Sequence, residues 1–200
     1  DREFRRVLSS EAHDATARHY LALIALRQGD AGEAVRRLTA LLESAGPHTG
    51  AYLNLALALR IQGRYDDALK TLARAQARSP GDLRVRLAEG ATRLFAGDPA
   101  RAAAILADYR EALGPDTLPS APYYYCAALA AAMDHRIEDA EALLEEGLGA
   151  HPGSAPLHNL AGNVAERRVD MAGAGHAYQQ AAEADATLPQ PHRNLGDLAY

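Results

Sequence analysis

Residues 51–80 read AYLNLALALRIQGRYDDALKTLARAQARSP. A first helix is expected to end at Gly63, where a left-handed backbone costs least, and a second to run from Tyr65 to its stop at Pro80. The pair recurs along the chain. Ala34, Ala68 and Ala102 lie 34 residues apart, each five residues after a glycine: Gly29, Gly63 and Gly97. The next equivalents are Ala140, after four inserted residues, and Ala174, 34 further on, while Gly162 and Gly196 keep the same spacing. A fixed period of this length signals stacked repeats.

The period and its helix, Gly turn, helix order resemble the tetratricopeptide repeat, TPR. Within the quoted stretch Tyr52, Leu55, Ala56, Leu59, Gly63, Tyr65, Ala68, Leu72, Ala75 and Pro80 match that family's order of aromatic, Leu, small, large apolar, Gly, Tyr, Ala, large apolar, Ala and Pro. The resemblance implies an all-α, right-handed α-solenoid of helix-turn-helix repeats forming a single array over 1–200. Repeats are expected at 15–48, 49–82, 83–120, 121–154 and 155–188, with 1–14 ending a preceding repeat and 189–200 opening a truncated sixth. Phe4, Val7 and Leu8 fit the last turns of a helix, and Leu195, Gly196, Leu198 and Tyr200 fit a repeat that stops halfway. A piece of a longer bacterial protein is therefore expected, with uncapped ends that allow self-association.

Helices of about a dozen residues are marginal alone, so the pairs must bury faces against one another. Ala22, Ala56, Gly90, Ala128 and Gly162 on first helices, with Ala34, Ala68, Ala102, Ala140 and Ala174 on second helices, let backbones approach closely. Leu38, Leu72, Leu106, Leu144 and Tyr178 recur at one second-helix position and are expected to knit the core. His135 and Val169 replace the turn glycine in repeats four and five, so those turns are expected to depart from the pattern. Pro47, Pro80, Pro115 and Pro152 punctuate the second-helix ends.

With 48% hydrophobic and 24% charged residues the chain can build a core. Cys126, the one cysteine, rules out an internal disulfide and a multi-thiolate metal site. No apolar run approaches the ~18 residues of a membrane span. A formal charge of −5 argues against nucleic acid, since phosphate binding needs a concentrated basic field. The Arg74, Arg78, Arg84 and Arg86 clusters are interspersed with Asp82 and Glu89 and read as a solvated face. The compartment stays open between cytoplasm and periplasm.

In the family this chain resembles, ligands lie on a concave face built from first helices. Registering each repeat on its alanine assigns that face Tyr20, Leu23, Leu26 and Arg27; Asn54, Leu57 and Ile61; Leu94 and Phe95; Leu129 and Met133; Asn159, Asn163 and Arg167; and Arg193 and Asn194. The apolar members suit a peptide or helix, and the asparagines can pair with its backbone. Asn163 and Asn194 also resemble two asparagines of the carboxylate clamp of some TPR domains. Asn159 replaces that clamp's basic partner and its other basic positions fall beyond Tyr200, so Arg193 alone implies only weak grip on a terminal carboxylate.

Other candidates read as structural. His158 and His192 are one repeat apart, but they hold the position of Tyr52 and Tyr124, where a flat ring packs between helices. Ser154, one turn from His158, is expected to cap a helix. Gly173 and Gly175 follow no strand, so they form no dinucleotide loop. Of Tyr123, Tyr124 and Tyr125 at most two can share a buried face, and residues 114–122, with Pro115, Pro119 and Pro122, read as a stiff loop. The chain is thus expected to be a non-catalytic protein-interaction scaffold without metal or cofactor. The alternative is the substrate-recruiting domain of a larger enzyme such as a glycosyltransferase. Such an enzyme resembling these repeats would carry an asparagine ladder, but Tyr20, Ala88, Cys126 and Leu160 interrupt the position shared by Asn54 and Asn194.

Overall fold

A computed structural model describes residues 15–44 and 49–198, and all the regular structure there is helical. The helices are α1 (Ala15–Arg27), α2 (Ala31–Ser44), α3 (Thr49–Ile61), α4 (Tyr65–Arg78), α5 (Leu83–Phe95), α6 (Pro99–Leu113), α7 (Ala121–Met133), α8 (Ile137–Ala150), α9 (Ala155–Arg167), α10 (Met171–Ala184) and α11 (Pro189–Leu198). The readings placed on Phe4, Val7, Leu8, Pro47 and Tyr200 lie outside the described residues. The chain divides into two compact units, Asp1–Asp98 and Pro99–Tyr200, so α1 to α5 belong to the first and α6 to α11 to the second.

In the first unit Ala22 and Ala56 on first helices and Ala34 and Ala68 on second helices are buried, and Leu38 and Leu72 join them in one apolar cluster with Tyr52, Leu55 and Leu59. Each such leucine contributes about 1.5–3 kcal/mol by leaving water. Gly29, Gly63 and Gly97 have φ of 78°, 72° and 85°. At the first of these turns the Gly29 amide donates to the Leu26 carbonyl and the Asp30 amide to that of Ala25, satisfying the last carbonyls of α1. Asp30 then accepts from the Glu33 amide at 2.8 Å and caps α2.

In the second unit Ala102, Ala128, Ala140 and Ala174 are buried, as are Leu106, Leu144 and Tyr178. The turns at His135 and Val169 keep the glycine geometry. Their φ values are 59° and 63°, and the paired bonds recur from His135 to Ala132, Arg136 to Ala131, Val169 to Glu166 and Asp170 to Ala165. The expected departure is confined to residue type: helix packing holds both residues left-handed at a cost of roughly 1–2 kcal/mol each. Tyr178 fits where other repeats carry leucine because Gly162 faces it, and a Cβ there would lie 2.3 Å from Tyr178 Cε1.

Tyr123 and Tyr124 are buried while Tyr125 is half-exposed. Tyr109 stacks on Tyr123 at 5.3 Å, and the Tyr124 hydroxyl donates to Glu146 Oε1 at 2.8 Å. Burial first, and then the Glu146 carboxylate, push the Tyr124 phenol up to about 12. The inserted loop is pinned at both ends: Arg110 Nη1 donates to the Gly114 carbonyl at 2.9 Å and His151 Nε2 to that of Pro119 at 2.8 Å, leaving Leu118 70% exposed. Ser154 takes the N-cap position of α9, but its hydroxyl makes no capping bond.

Candidate functional site

The first unit carries a groove of about 460 Å³ between α1 and α3, lined by Tyr20, Leu23, Ile24, Leu26, Arg27, Asn54, Leu57 and Ile61. Both helices carry apolar residues on more than one face. One face supplies the core through Leu21, Ala22, Ala25, Leu55, Ala56 and Leu59, and the groove lies on the other. Tyr20 is 50%, Leu57 37% and Ile61 59% exposed, so these large side chains can be reached by a ligand. Asn54 Nδ2 donates to His19 Nε2 at 2.7 Å, which fixes the amide at the groove wall. On α5, Phe95 is 44% exposed and the Arg60 guanidinium lies 4.8 Å from its ring centroid, within cation–π range.

Leu94 corrects the expected lining. At 1% exposure it is core and offers a ligand no surface. It lies one period beyond Arg60 and two beyond Leu26, both half-buried, so this register position falls at the boundary of the exposed face.

In the second unit the expected residues form a different kind of surface. Met133 is 38% exposed and Leu129 half-buried, both on α7. Arg167 donates through Nη1 to the Ala132 carbonyl and so serves the end of α7. Asn159, Asn163 and Asn194 come together: Asn194 Nδ2 donates to Asn159 Oδ1 and to Asn163 Oδ1, each at 3.2 Å, and the Tyr178 hydroxyl donates to Asn163 Oδ1 at 2.8 Å. Asn163 Oδ1, with two donors, has no lone pair left for a ligand. Burial, and then the Glu166 carboxylate, hold the Tyr178 phenol well above its ordinary range. Arg193 is exposed and stands outside this network.

Asn159 also lines a cleft of about 210 Å³ with Tyr125, Pro156, Leu188, Gln190 and Pro191. Repeat register placed Asn159 here but had no signal for Leu188 or Pro191, which belong to the connection into α11 and its first turn. Ile24, the groove residue that sequence reasoning missed, sits beside Leu23 on a helix whose apolar residues have no periodicity to separate wall from core.

His158 is buried and shares a 2.7 Å hydrogen bond through Nε2 with the Pro152 carbonyl, a packing role like that of Tyr124, while His192 is exposed. Among the described residues no three His, Cys, Asp or Glu side chains are grouped to hold a metal, and no helix is long and apolar enough to cross a membrane.

Two tetratricopeptide repeat sequence models match, one over residues 21–82 and 125–189 and the other over 59–121. The chain belongs to the tetratricopeptide repeat family, and its fold is the all-α solenoid of that family. A thermophilic TPR protein of Thermus thermophilus matches 93% of this chain and 99% of its own with a TM-score of 0.82 and 16% identity. PilW, a type IV pilus biogenesis factor, matches 93% of this chain and 89% of its own with a TM-score of 0.74 and 19% identity. MamA from Desulfovibrio magneticus matches 88% and 97%, with a TM-score of 0.63 and 20% identity. These identities establish a shared fold alone. No curated protein matches the sequence.

Proposed function

We propose that this chain is a non-catalytic protein-interaction scaffold that holds a peptide or helix of a partner protein in the groove of its first unit. One observation carries the reading: Tyr20, Leu57 and Ile61 stand exposed side by side around an apolar groove on helices whose other face is already satisfied by the core. Large accessible apolar patches on soluble proteins mark interaction sites. An apolar groove between helices is suited to the alternate side chains of an extended peptide or the i, i+3, i+4 face of a helix.

The test compares capture of proteins by the full chain and by an Ile61→Asp variant. Ile61 is 59% exposed, so circular dichroism should find the variant folded. Partners retained by the wild type and lost by the variant are expected. An identical set on both would remove the groove from the mechanism.

A further inference from the structure

The two helices that form the groove differ in charge from the helices behind them. α1 and α3 carry Arg18, Arg27 and Arg60 and no Asp or Glu, whereas α2 and α4 carry Glu33, Glu43, Asp66 and Asp67 among Arg36, Arg37, Lys70, Arg74 and Arg78. This runs against the formal charge of −5 for the chain. Three carboxylates of the unit are engaged locally: Glu33 with Arg36 and Arg37, Asp67 with Arg64, and Asp82 with Arg84. Arg18 turns away to donate to the Ser44 hydroxyl at 3.3 Å. Arg27 is exposed, lines the groove and has no carboxylate partner among the described residues. Arg60 is held against Phe95 at the neighbouring repeat. The groove therefore joins an apolar floor to the positive charge of Arg27.

Resting on the groove reading above, we infer that the ligand is an acidic amphipathic segment of a partner protein. Its aliphatic or aromatic side chains would cover Leu57 and Ile61, and its carboxylates would meet Arg27 in the added positive field of Arg60, the residue before Ile61. A guanidinium beside apolar surface is weakly hydrated and binds carboxylate through charge-assisted, often bidentate hydrogen bonds. A basic amphipathic segment would set like charges together on the same floor, which selects against it. Complementary charge also speeds encounter, so association should weaken with salt.

The experiment selects a displayed library of short random peptides on the full chain and on three variants, Ile61→Asp, Arg27→Glu and Arg27→Glu with Arg60→Glu, each confirmed folded by circular dichroism. Peptides enriched on the wild type are expected to combine Leu, Ile or Phe with an excess of Asp and Glu over Lys and Arg. Their binding, read by fluorescence anisotropy, should fall about tenfold or more on charge reversal, which should also turn the selected preference towards basic peptides. Should Arg60→Glu disturb the Phe95 contact and unfold the double variant, Arg27→Glu alone still decides, because that side chain is exposed. Apolar peptides that need Ile61 but show no acidic excess, or that ignore charge reversal, would overturn this inference and leave the groove reading standing. Peptides indifferent to Ile61→Asp, or no enrichment at all, would overturn both.

Discussion

In the first unit the left-handed turns between paired helices rest on Gly29, Gly63 and Gly97, and Ala22 and Ala56 share one buried cluster with Leu38 and Leu72; in the second the corresponding turns rest on His135 and Val169, and Gly162 faces Tyr178. Backbone geometry is the same in both. The turn follows from how two helices must meet, because carbonyls at a helix end need the same donors whatever side chain stands at the turn. Residue choice then decides whether that geometry is relaxed or strained. The exposed faces differ as well. α1 and α3 present Tyr20, Leu57 and Ile61 with an arginine, while α9 and α11 present asparagines already bonded to one another. A partner gains by covering the former and must compete with internal hydrogen bonds at the latter.

The largest expected effect separates core from groove within the first unit. Leu94→Ala should cost roughly 2–5 kcal/mol through lost burial and the cavity left behind, whereas Phe95→Ala should cost about 1 kcal/mol or less, its exposed ring giving up mainly the Arg60 contact. Denaturation midpoints measure both, and equal losses would erase the distinction between the two faces. Next comes Gly162→Ala. In a helix this change normally gains about 0.5–1 kcal/mol, but here the methyl would enter the Tyr178 ring and a net loss of about 1–3 kcal/mol is expected. Tyr178→Leu in the same chain should recover it, restoring the Ala and Leu pairing of the first unit; failure to recover would show that Tyr178 is held by something besides its fit to Gly162.

Val169→Gly should raise stability by about 1 kcal/mol, since glycine adopts φ near 63° without a Cβ penalty. Gly63→Val should lose at least as much. If Val169→Gly is neutral or harmful, the side chain of Val169 contributes more than its strain costs. The smallest effect lies in alkali. A phenol of pKa about 12 in the fold and about 10 when unfolded binds its proton more tightly when folded. Its stabilising contribution is complete below pH 10 and is lost as pH rises through 12. Ultraviolet titration with and without Tyr124→Phe should reveal a phenolate that forms only at this high pH, and a normal titration midpoint would contradict the burial of that ring.

The core was legible in the sequence because close approach of two helices demands a small residue at a fixed phase of the period, and Ala34, Ala68, Ala102, Ala140 and Ala174 announce it. Most of the groove was legible for a related reason: once the buried phase is known, Tyr20, Leu57 and Ile61 fall opposite it. Leu94 was misplaced because register assigns a phase and not an exposure, and at the edge of a face the cover supplied by neighbouring helices decides. Arg167 and the three asparagines read as free ligand-binding groups until their partners, the Ala132 carbonyl and Tyr178, were seen beside them.

By itself the sequence determined the helix pairs, their 34-residue period and the residues that pack them, since each of these is a local or periodic requirement repeated along the chain. Only the tertiary structure decided that His135 and Val169 keep a glycine's turn, that Gly162 is the space Tyr178 occupies, and that the accessible apolar groove lies on α1 and α3. Those outcomes depend on atoms brought together from different helices, and the spacing of residues within one helix carries no information about what its neighbours cover.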